Sequence, residues 1–220
     1  MAQAHSSSTG AGASRNSRAS TLYVVSAPSG AGKTSLLHAL VDADPALRLS
    51  TSHTTRALRP GERDGEHYHF IDQTSFESLI SQNGFLEHAL VFDHYYGTAK
   101  AGVERDEAEG YDVILESDWQ GARQVRAKRP DAVSIFILPP SQAALKERLS
   151  VRGQDSAKVI ARRMHEARDQ MSHFDEYDYI VFNDDFKTAL GELRSIFVAR
   201  RMRLAAQRAR NEALLKALCS

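Results

Sequence analysis

The stretch SAPSGAGKTS, residues 26–35, limits the possible folds more than any other, because a glycine-rich loop here joins two different apolar patterns. Residues 21–25 form a short apolar run typical of a buried strand, and residues 34–40 carry apolar side chains at helical spacing. Such a loop aims main-chain N–H groups at phosphate oxygens, and a helix N-terminus favours negative charge. An ordinary glycine-rich turn is the alternative. The pattern predicts a phosphate site in an α/β fold.

One position departs from the usual pattern G-x-x-x-x-G-K-[ST], which opens with glycine where this chain has Ala27. Ala27 precedes Pro28, and a residue before proline is held at extended backbone angles that do not require glycine. Lys33 is expected to reach the β- and γ-phosphates of a nucleotide, and the Thr34 hydroxyl to bind Mg²⁺. The predicted nucleotide-binding residues of the loop are Ser29, Gly30, Ala31, Gly32, Lys33, Thr34 and Ser35.

Composition argues against several other classes of protein. The 220 residues are 42% apolar and 25% charged, which is typical of a globular chain with one substantial domain. Residues 1–20 lack an apolar segment, so we interpret them as a disordered extension and expect no signal peptide or membrane span. The 28 basic and 28 acidic residues balance, so we expect no nucleic-acid partner. The single cysteine, Cys219, is compatible with the cytoplasm.

Apolar runs alternate with helical patterns along the chain, which predicts a parallel sheet flanked by helices. The strand candidates after the first are residues 47–52, 84–92, 112–115, 132–138 and 179–182. The helix candidates are residues 74–82, 100–109, 119–128, 141–151, 156–172 and 185–217. Residues 52–98 are instead punctuated by turns and predict a small, mostly β insertion, and residues 141–170 predict a helical, basic excursion.

The insertion holds a second group of polar side chains. Arg56 and Arg59 flank a loop, and Tyr68 follows, so two guanidinium groups and a phenol can converge on one phosphate. Arginines in a polar loop are more often simply solvated. The stretch FLEHALVFDHYYGT adds Glu87 and further polar candidates.

Five motifs in order carry a resemblance to a known family. They are APSGAGKT, SHTTRALRPGE with Tyr68 after it, FLEHA followed by YYGT, DWQGA, and NDD. Over residues 21 to about 200 the chain resembles the guanylate kinases. The resemblance implies a P-loop kinase core, a small GMP-binding domain and a helical lid. The implied division is a core at 21–51, 99–140 and 171–220, a GMP-binding domain at 52–98 and a lid at 141–170.

The resemblance also implies roles for the residues of the insertion. The GMP phosphate would be held by Arg56, Arg59, Tyr68 and Tyr96, and guanine would be bound by Ser52, Glu87, Thr98 and Asp118. Guanine presents N1–H and N2–H on one edge, so a carboxylate such as Glu87 accepts from both, whereas adenine lacks this donor pair. Glu62 would orient the arginines, or is an exposed loop acid.

The lid would supply catalytic arginines beside Lys33. These are Arg148, Arg152 and Arg163, whose spacings of four and eleven residues predict one helical face. Their role would be to neutralise charge on the transferring phosphoryl group, and the alternative is a solvated basic helix. Asn183 would contact the adenine of ATP, although NDD also suits a helix N-cap.

One residue differs from the usual Asp-x-Asp of the family, because this chain has Glu116-Ser117-Asp118. Glu116 keeps the charge and adds a methylene, so it is a second candidate for steering Mg²⁺, with altered geometry or affinity. The expected activity is transfer of the γ-phosphoryl group of Mg·ATP to GMP. The rivals are a phosphotransferase with another acceptor, a binding module without catalysis, and a GTP-hydrolysing switch.

The C-terminal segment is basic. Residues 194–210 contain six arginines and no acidic residue, on a pattern with helical apolar spacing. A solvated helix packed on the core is one interpretation, and a contact with another subunit in a homo-oligomer is the other.

Overall fold

The computed structural model describes residues 20–91, 93–151 and 157–220, and its strands form two sheets. The strands are β1 Leu22–Ser26, β2 Leu47–Leu49, β3 His53–Thr54, β4 His69–Phe70, β5 Phe85–Val91, β6 His94–Ala99, β7 Asp112–Glu116, β8 Val133–Leu138 and β9 Tyr179–Phe182. The helices are α1 Lys33–Ala43, α2 Gln73–Ser81, α3 Lys100–Ala108, α4 Trp119–Lys128, α5 Gln142–Val151, α6 Ala157–Met171, α7 Phe186–Met202, α8 Leu204–Arg210 and α9 Glu212–Cys219.

The larger sheet is parallel throughout its described strands, in the order β2-β7-β1-β8-β9. Its central strand β1 is buried on both faces, which explains the uninterrupted apolar run. Tyr23 and Val25 pack with residues of α1 and α7, while Leu22 and Val24 pack with residues of α3 and α4. Burial of each such side chain contributes about 1.5–3 kcal/mol. The predicted parallel sheet flanked by helices is confirmed.

The smaller sheet is mixed, in the order β4-β3-β6-β5, and it lies within the insertion predicted at residues 52–98. Strands β5 and β6 form an antiparallel hairpin whose turn contains Asp93 at φ 65°. Helix α2 covers this sheet through Phe76, whose ring stacks on Phe85 at 4.4 Å and on Tyr95 at 5.2 Å between centroids. This aromatic cluster gives the insertion its own apolar centre.

The predicted basic excursion consists of α5 and α6, which pack on each other through Leu145, Leu149, Met164 and Ala167. We call these two helices the lid. Arg152, one of the predicted catalytic residues, falls outside the described residues.

The prediction of one helix over residues 185–217 is wrong, because the chain leaves helical geometry at Arg203, with ψ 145°, and again at Asn211. The interruption follows Arg201, whose side chain donates to Asp44 at 2.5 Å and to Asp112 at 2.6 Å. The amide side chain of Gln207 then donates to the Arg201 carbonyl, which the broken helix leaves without a helical partner.

Helix α7 also covers the centre of the large sheet, where Phe197 stacks on Tyr23 with 3.9 Å between ring centroids. None of the helices in the described ranges combines the length and the apolar composition that crossing a bilayer requires.

Candidate active site

The glycine-rich loop connects β1 to α1, as predicted. Gly30 and Gly32 adopt φ values of 89° and 90°, a region that favours glycine, and they curl the loop. Ala27 does not have a positive φ, and its methyl group packs on the core. Alanine at the first position of the motif is therefore compatible with the loop.

Asn183, just after β9, forms a hydrogen bond with this loop. Its side-chain amide donates to the Ala31 carbonyl at 2.7 Å, and a Cβ atom at Gly32 would lie 2.4 Å from the same amide nitrogen. The helix N-cap predicted for this segment is Asp185, whose carboxylate accepts from the Thr188 amide. Contact between Asn183 and adenine stays a prediction.

Lys33 and Thr34 meet the end of β7, because β1 and β7 are parallel neighbours and their following loops leave the same edge of the sheet. The Lys33 ammonium donates to the Ser117 carbonyl at 3.2 Å and lies 3.7 Å from Glu116 Oε1. The Thr34 hydroxyl donates to Glu116 Oε1 at 2.7 Å. A hydroxyl and a carboxylate oxygen are donors that suit Mg²⁺, so the residues present fit this ion.

The candidate acceptor-phosphate residues gather at the loop after β3. Arg56 is buried and donates to both carboxylate oxygens of Glu62, at 3.0 and 2.7 Å, and the Arg59 amide donates to Glu62 at 2.8 Å. The hydrogen bond from Arg56 lowers the pKa of Glu62 to about 2. The Tyr68 ring centroid lies 5.6 Å from Cζ of Arg56 and 5.9 Å from the ring centroid of Tyr96. Of the two interpretations of Glu62, the contacts support the orienting one. The Arg59 side chain is exposed.

The candidate guanine residues form a hydrogen-bonded set on β5 and β6. Glu87 is 5% exposed and accepts from the Thr98 hydroxyl at 2.6 Å, and the Ser52 hydroxyl lies 3.2 Å from that of Thr98. Burial, reinforced by the charge of Asp118, raises the pKa of Glu87, and the Thr98 hydrogen bond opposes this shift. Asp118 caps α4 by accepting from the Gly121 amide at 2.9 Å. Ser52, Glu87 and Asp118 line one small cavity of about 160 Å³.

Two residues beside Glu87 were missed by the sequence analysis. Ser117 and Gly121 belong to segments that the resemblance drew on, yet only their neighbour Asp118 received a role. Their proximity to Glu87 arises between distant segments, so spacing along the chain gives no signal for it.

The lid contacts the glycine-rich loop directly. Arg163 donates to the Ser29 hydroxyl at 3.0 Å, and Arg148 donates to the Asn183 carbonyl at 2.9 Å. The Ser29 amide donates to Gln170, a residue that was not predicted, at 3.2 Å. Arg148 lies on α5 and Arg163 on α6, so the prediction of one shared helical face is wrong. They reach the same loop because the two helices pack on each other.

The segment that follows α6 contacts α4. The Trp119 and His173 rings stack at 3.8 Å, and the Arg123 guanidinium lies over Trp119 at 4.6 Å. Glu176, just beyond α6, accepts hydrogen bonds from both Arg123 and Arg126. The hydrogen bond from Arg123 lowers the pKa of Glu176 to about 2, helped by His173 and Arg126. Helix α4, which follows the candidate guanine residue Asp118, therefore also contacts the segment that follows the lid.

The candidate residues form two half-sites, one at the glycine-rich loop with Lys33 and Thr34, and one on the small sheet with Arg56, Glu87 and Thr98. This fold with two such half-sites defines the class of P-loop phosphotransferases that bind a second phosphorylated substrate beside the loop. A family model described as guanylate kinase matches residues 19–200. Relatives named guanylate kinase include one from Hahella chejuensis, 58% identical over 199 residues, which are 90% of this chain and 96% of that protein. Another, from Vibrio parahaemolyticus, is 54% identical over 200 residues, 90% of this chain and 97% of its own length.

A crystal structure of guanylate kinase from Anaplasma phagocytophilum matches with a TM-score of 0.69 at 32% identity, covering 85% of this chain and 89% of that one. The chain belongs to the guanylate kinase family.

Proposed function

We propose that this chain transfers the γ-phosphoryl group of Mg·ATP to GMP, giving ADP and GDP. The observation that supports it most is a cleft of about 460 Å³ lined from both half-sites, by Thr34 and Glu116 on one side and by Ser52 and Tyr68 on the other. An acceptor phosphate held by the small sheet would therefore face the glycine-rich loop within one cavity.

The acceptor needs no general base. The second pKa of a phosphate monoester is near 6, so the GMP phosphate is already an anionic nucleophile at neutral pH. The task of the protein is to align the two phosphates and neutralise their charge. Arg56, which Glu62 holds in place, would bind the acceptor phosphate together with Arg59, Tyr68 and Tyr96.

Donor binding would use the main-chain amides of the loop and the Lys33 ammonium. Thr34 and Glu116 would hold Mg²⁺, which supplies electrostatic stabilisation of charge on the phosphate oxygens when it is bound. Arg163 and Arg148 lie against the loop and its supporting Asn183, so the lid brings two further positive charges to the donor side. Closure of the lid and of the small sheet over the cleft would exclude water and prevent hydrolysis of ATP.

Base selection would come from Glu87, whose ionised carboxylate accepts from N1–H and N2–H of guanine. A buried hydrogen-bonding site rejects a base that lacks matching donors, because its own polar groups are then left unpaired. We also propose that the protein works in the cytoplasm. Formation of a homo-oligomer through the C-terminal helices stays a prediction.

A coupled assay of ADP release from Mg·ATP, with GMP, AMP, CMP, UMP or no acceptor, tests the proposal. We expect turnover only with GMP. Turnover with another nucleotide would support the rival phosphotransferase, and ADP release without any acceptor would support a hydrolase. Binding of GMP without turnover would support the module without catalysis.

A further inference from the structure

The carboxylate of Glu87 is held from two sides. Its Oε1 atom accepts from Thr98 on the neighbouring strand β6. Its Oε2 atom faces the first turn of α4, where a Cβ atom placed on Gly121 would lie only 2.4 Å away. Real Cβ atoms essentially never approach closer than 3.0 Å, so a side chain at position 121 requires this oxygen or the backbone of α4 to move.

Ser117 lies on the same side of the Glu87 carboxylate as Gly121. Its hydroxyl oxygen would lie 2.0 Å from the same Cβ atom at Gly121, so the hydroxyl and Glu87 Oε2 share the space that the glycine leaves open. Ser117 is buried at the end of β7, next to the candidate metal residue Glu116. Its hydrogen bond opposes the effect of burial on the pKa of Glu87, as the Thr98 hydrogen bond does.

The ionised carboxylate is the form that guanine recognition needs, because only this form accepts at both oxygens. Two nearby features disfavour it, the apolar burial of Glu87 and the negative charge of Asp118. The hydroxyl groups of Thr98 and Ser117 favour it, and the N-terminus of the ten-residue helix α4 lies on the same side as Ser117.

Ser117 also contacts the other half-site. Its main-chain carbonyl accepts from the Lys33 ammonium at 3.2 Å. A substitution that removes only the Ser117 hydroxyl keeps this carbonyl, so the two contacts can be separated by experiment.

We propose that Ser117 and Gly121 are positioning residues for guanine recognition: together they form a seat that fixes the second carboxylate oxygen of Glu87 toward the base. This inference rests on the proposed function, since it concerns how the same site selects GMP. Neither residue acts on the phosphoryl group, so their loss is expected to affect GMP affinity and selectivity rather than ATP binding.

The chain offers matched controls for both residues. Gly102 lies on a helix with nothing within 4 Å of an added Cβ atom, so Gly102→Ala matches Gly121→Ala. Ser134 is buried and its hydroxyl donates to the Asp178 carboxylate far from Glu87 in the chain, so Ser134→Ala matches Ser117→Ala.

The experiment measures KM and kcat for GMP and for ATP in the four variants, with IMP as a second acceptor because it lacks the N2 amino group. In Gly121→Ala we expect KM for GMP to rise on the order of 100-fold, the cost of a misplacement of about 1 Å. The preference for GMP over IMP should fall, and KM for ATP should stay within about twofold.

In Ser117→Ala we expect KM for GMP to rise roughly 10-fold, the effect of losing one hydrogen bond to a charged group. Loss of this hydrogen bond raises the pKa of Glu87, so the acidic limb of kcat/KM for GMP should move to higher pH. A purely structural role would not move this limb.

The outcomes separate the two proposals. If the unmodified protein gives no GMP-dependent ADP, the proposed function is wrong. If it phosphorylates GMP and Gly121→Ala matches Gly102→Ala in KM and in GMP preference, the seat is overturned. Should Gly121→Ala fail to fold, Ser117→Ala decides: a GMP KM and an acidic limb equal to those of Ser134→Ala overturn the inference.

Discussion

The two half-sites of the cleft are built on different principles. The glycine-rich loop presents main-chain amides, and its supports, Asn183 and Gln170, also bond to main-chain atoms. The half-site on the small sheet, where we propose that guanine binds, presents side-chain oxygens that are already bonded to one another, as in the set Ser52, Thr98 and Glu87. The first half-site is therefore sensitive to backbone conformation and tolerates Ala27, whereas the second depends on the identity of each side chain.

The largest effect is expected at Lys33, a loop residue that contributes through its side chain. Lys33→Met removes the positive charge aimed at the transferring group and should lower kcat by roughly 10³-fold. GMP affinity should be retained, because Lys33 contacts Ser117 at its main-chain carbonyl, which leaves the Ser117 hydroxyl and the Glu87 carboxylate unchanged. Steady-state kinetics with a GMP binding titration test this, with the exposed Lys187→Met as the control. Loss of GMP binding in Lys33→Met would contradict the separation of the two half-sites.

The next effect concerns the side-chain half-site. Glu87→Gln replaces one acceptor oxygen with a donor, so we expect kcat/KM for GMP to fall roughly 100-fold while KM for ATP stays unchanged. The exposed Glu104→Gln is the matched control. A rise in the ATP KM of similar size would show that Glu87 serves the whole fold rather than the base.

A smaller effect is expected from Glu62→Gln, which weakens the hydrogen bonds that hold the Arg56 guanidinium in place. This variant should raise KM for GMP about 10-fold. Since the pKa of Glu62 is about 2, the pair stays ionised, and the ratio of variant to unmodified protein should not change between about pH 5 and pH 9. Kinetics across this range measure it, against Glu77→Gln on the exposed face of α2. A ratio that varies with pH would contradict an ion pair of this kind.

The smallest effect should appear in stability, at the junction of lid and α4. Glu176→Gln is expected to lower the free energy of unfolding by about 1–2 kcal/mol, because Glu176 is partly exposed and its ion pairs are screened. Its pKa is lowered from 4.5 to about 2, so the stabilisation is complete above pH 4.5 and is lost as the pH falls through about 2. Urea unfolding at several pH values measures this. A difference from the unmodified protein that keeps its full size at pH 2 would contradict the ion pair as its source.

The same contrast explains what could be predicted from sequence. Residues 26–35 carry their fold and chemistry locally, in strand, glycines and helix, so their structure was predicted from their own pattern. The seat of Glu87 is formed by residues from β5, α4 and the end of β7. The space for the carboxylate is present because Gly121 lies opposite Ser117, and this contact cannot be predicted from the pattern of one segment. The resemblance identifies Asp118 in that region because it carries over the roles of binding residues. It does not carry over the residues that position them.

Two errors have similar origins. The arginine-rich C-terminal segment has helical propensity throughout, and the break after Met202 comes beside Arg201, whose side chain donates to Asp44 and Asp112, far away in the chain. Arg148 and Arg163 were assigned to one face from spacing alone, whereas packing between two helices brings them together. In both cases tertiary contacts override a sound local expectation.

The position of α7 has a consequence for how the protein is made. Strand β1 is synthesised about 170 residues before Phe197 and Arg201 of α7, which cover Tyr23 and bind Asp112. At typical rates of 5–20 residues per second, Tyr23 in the nascent chain is without its partner Phe197 for roughly 10–40 s. During that interval its apolar surface is available to chaperones, and a message truncated before residue 197 would yield a chain that cannot close its core.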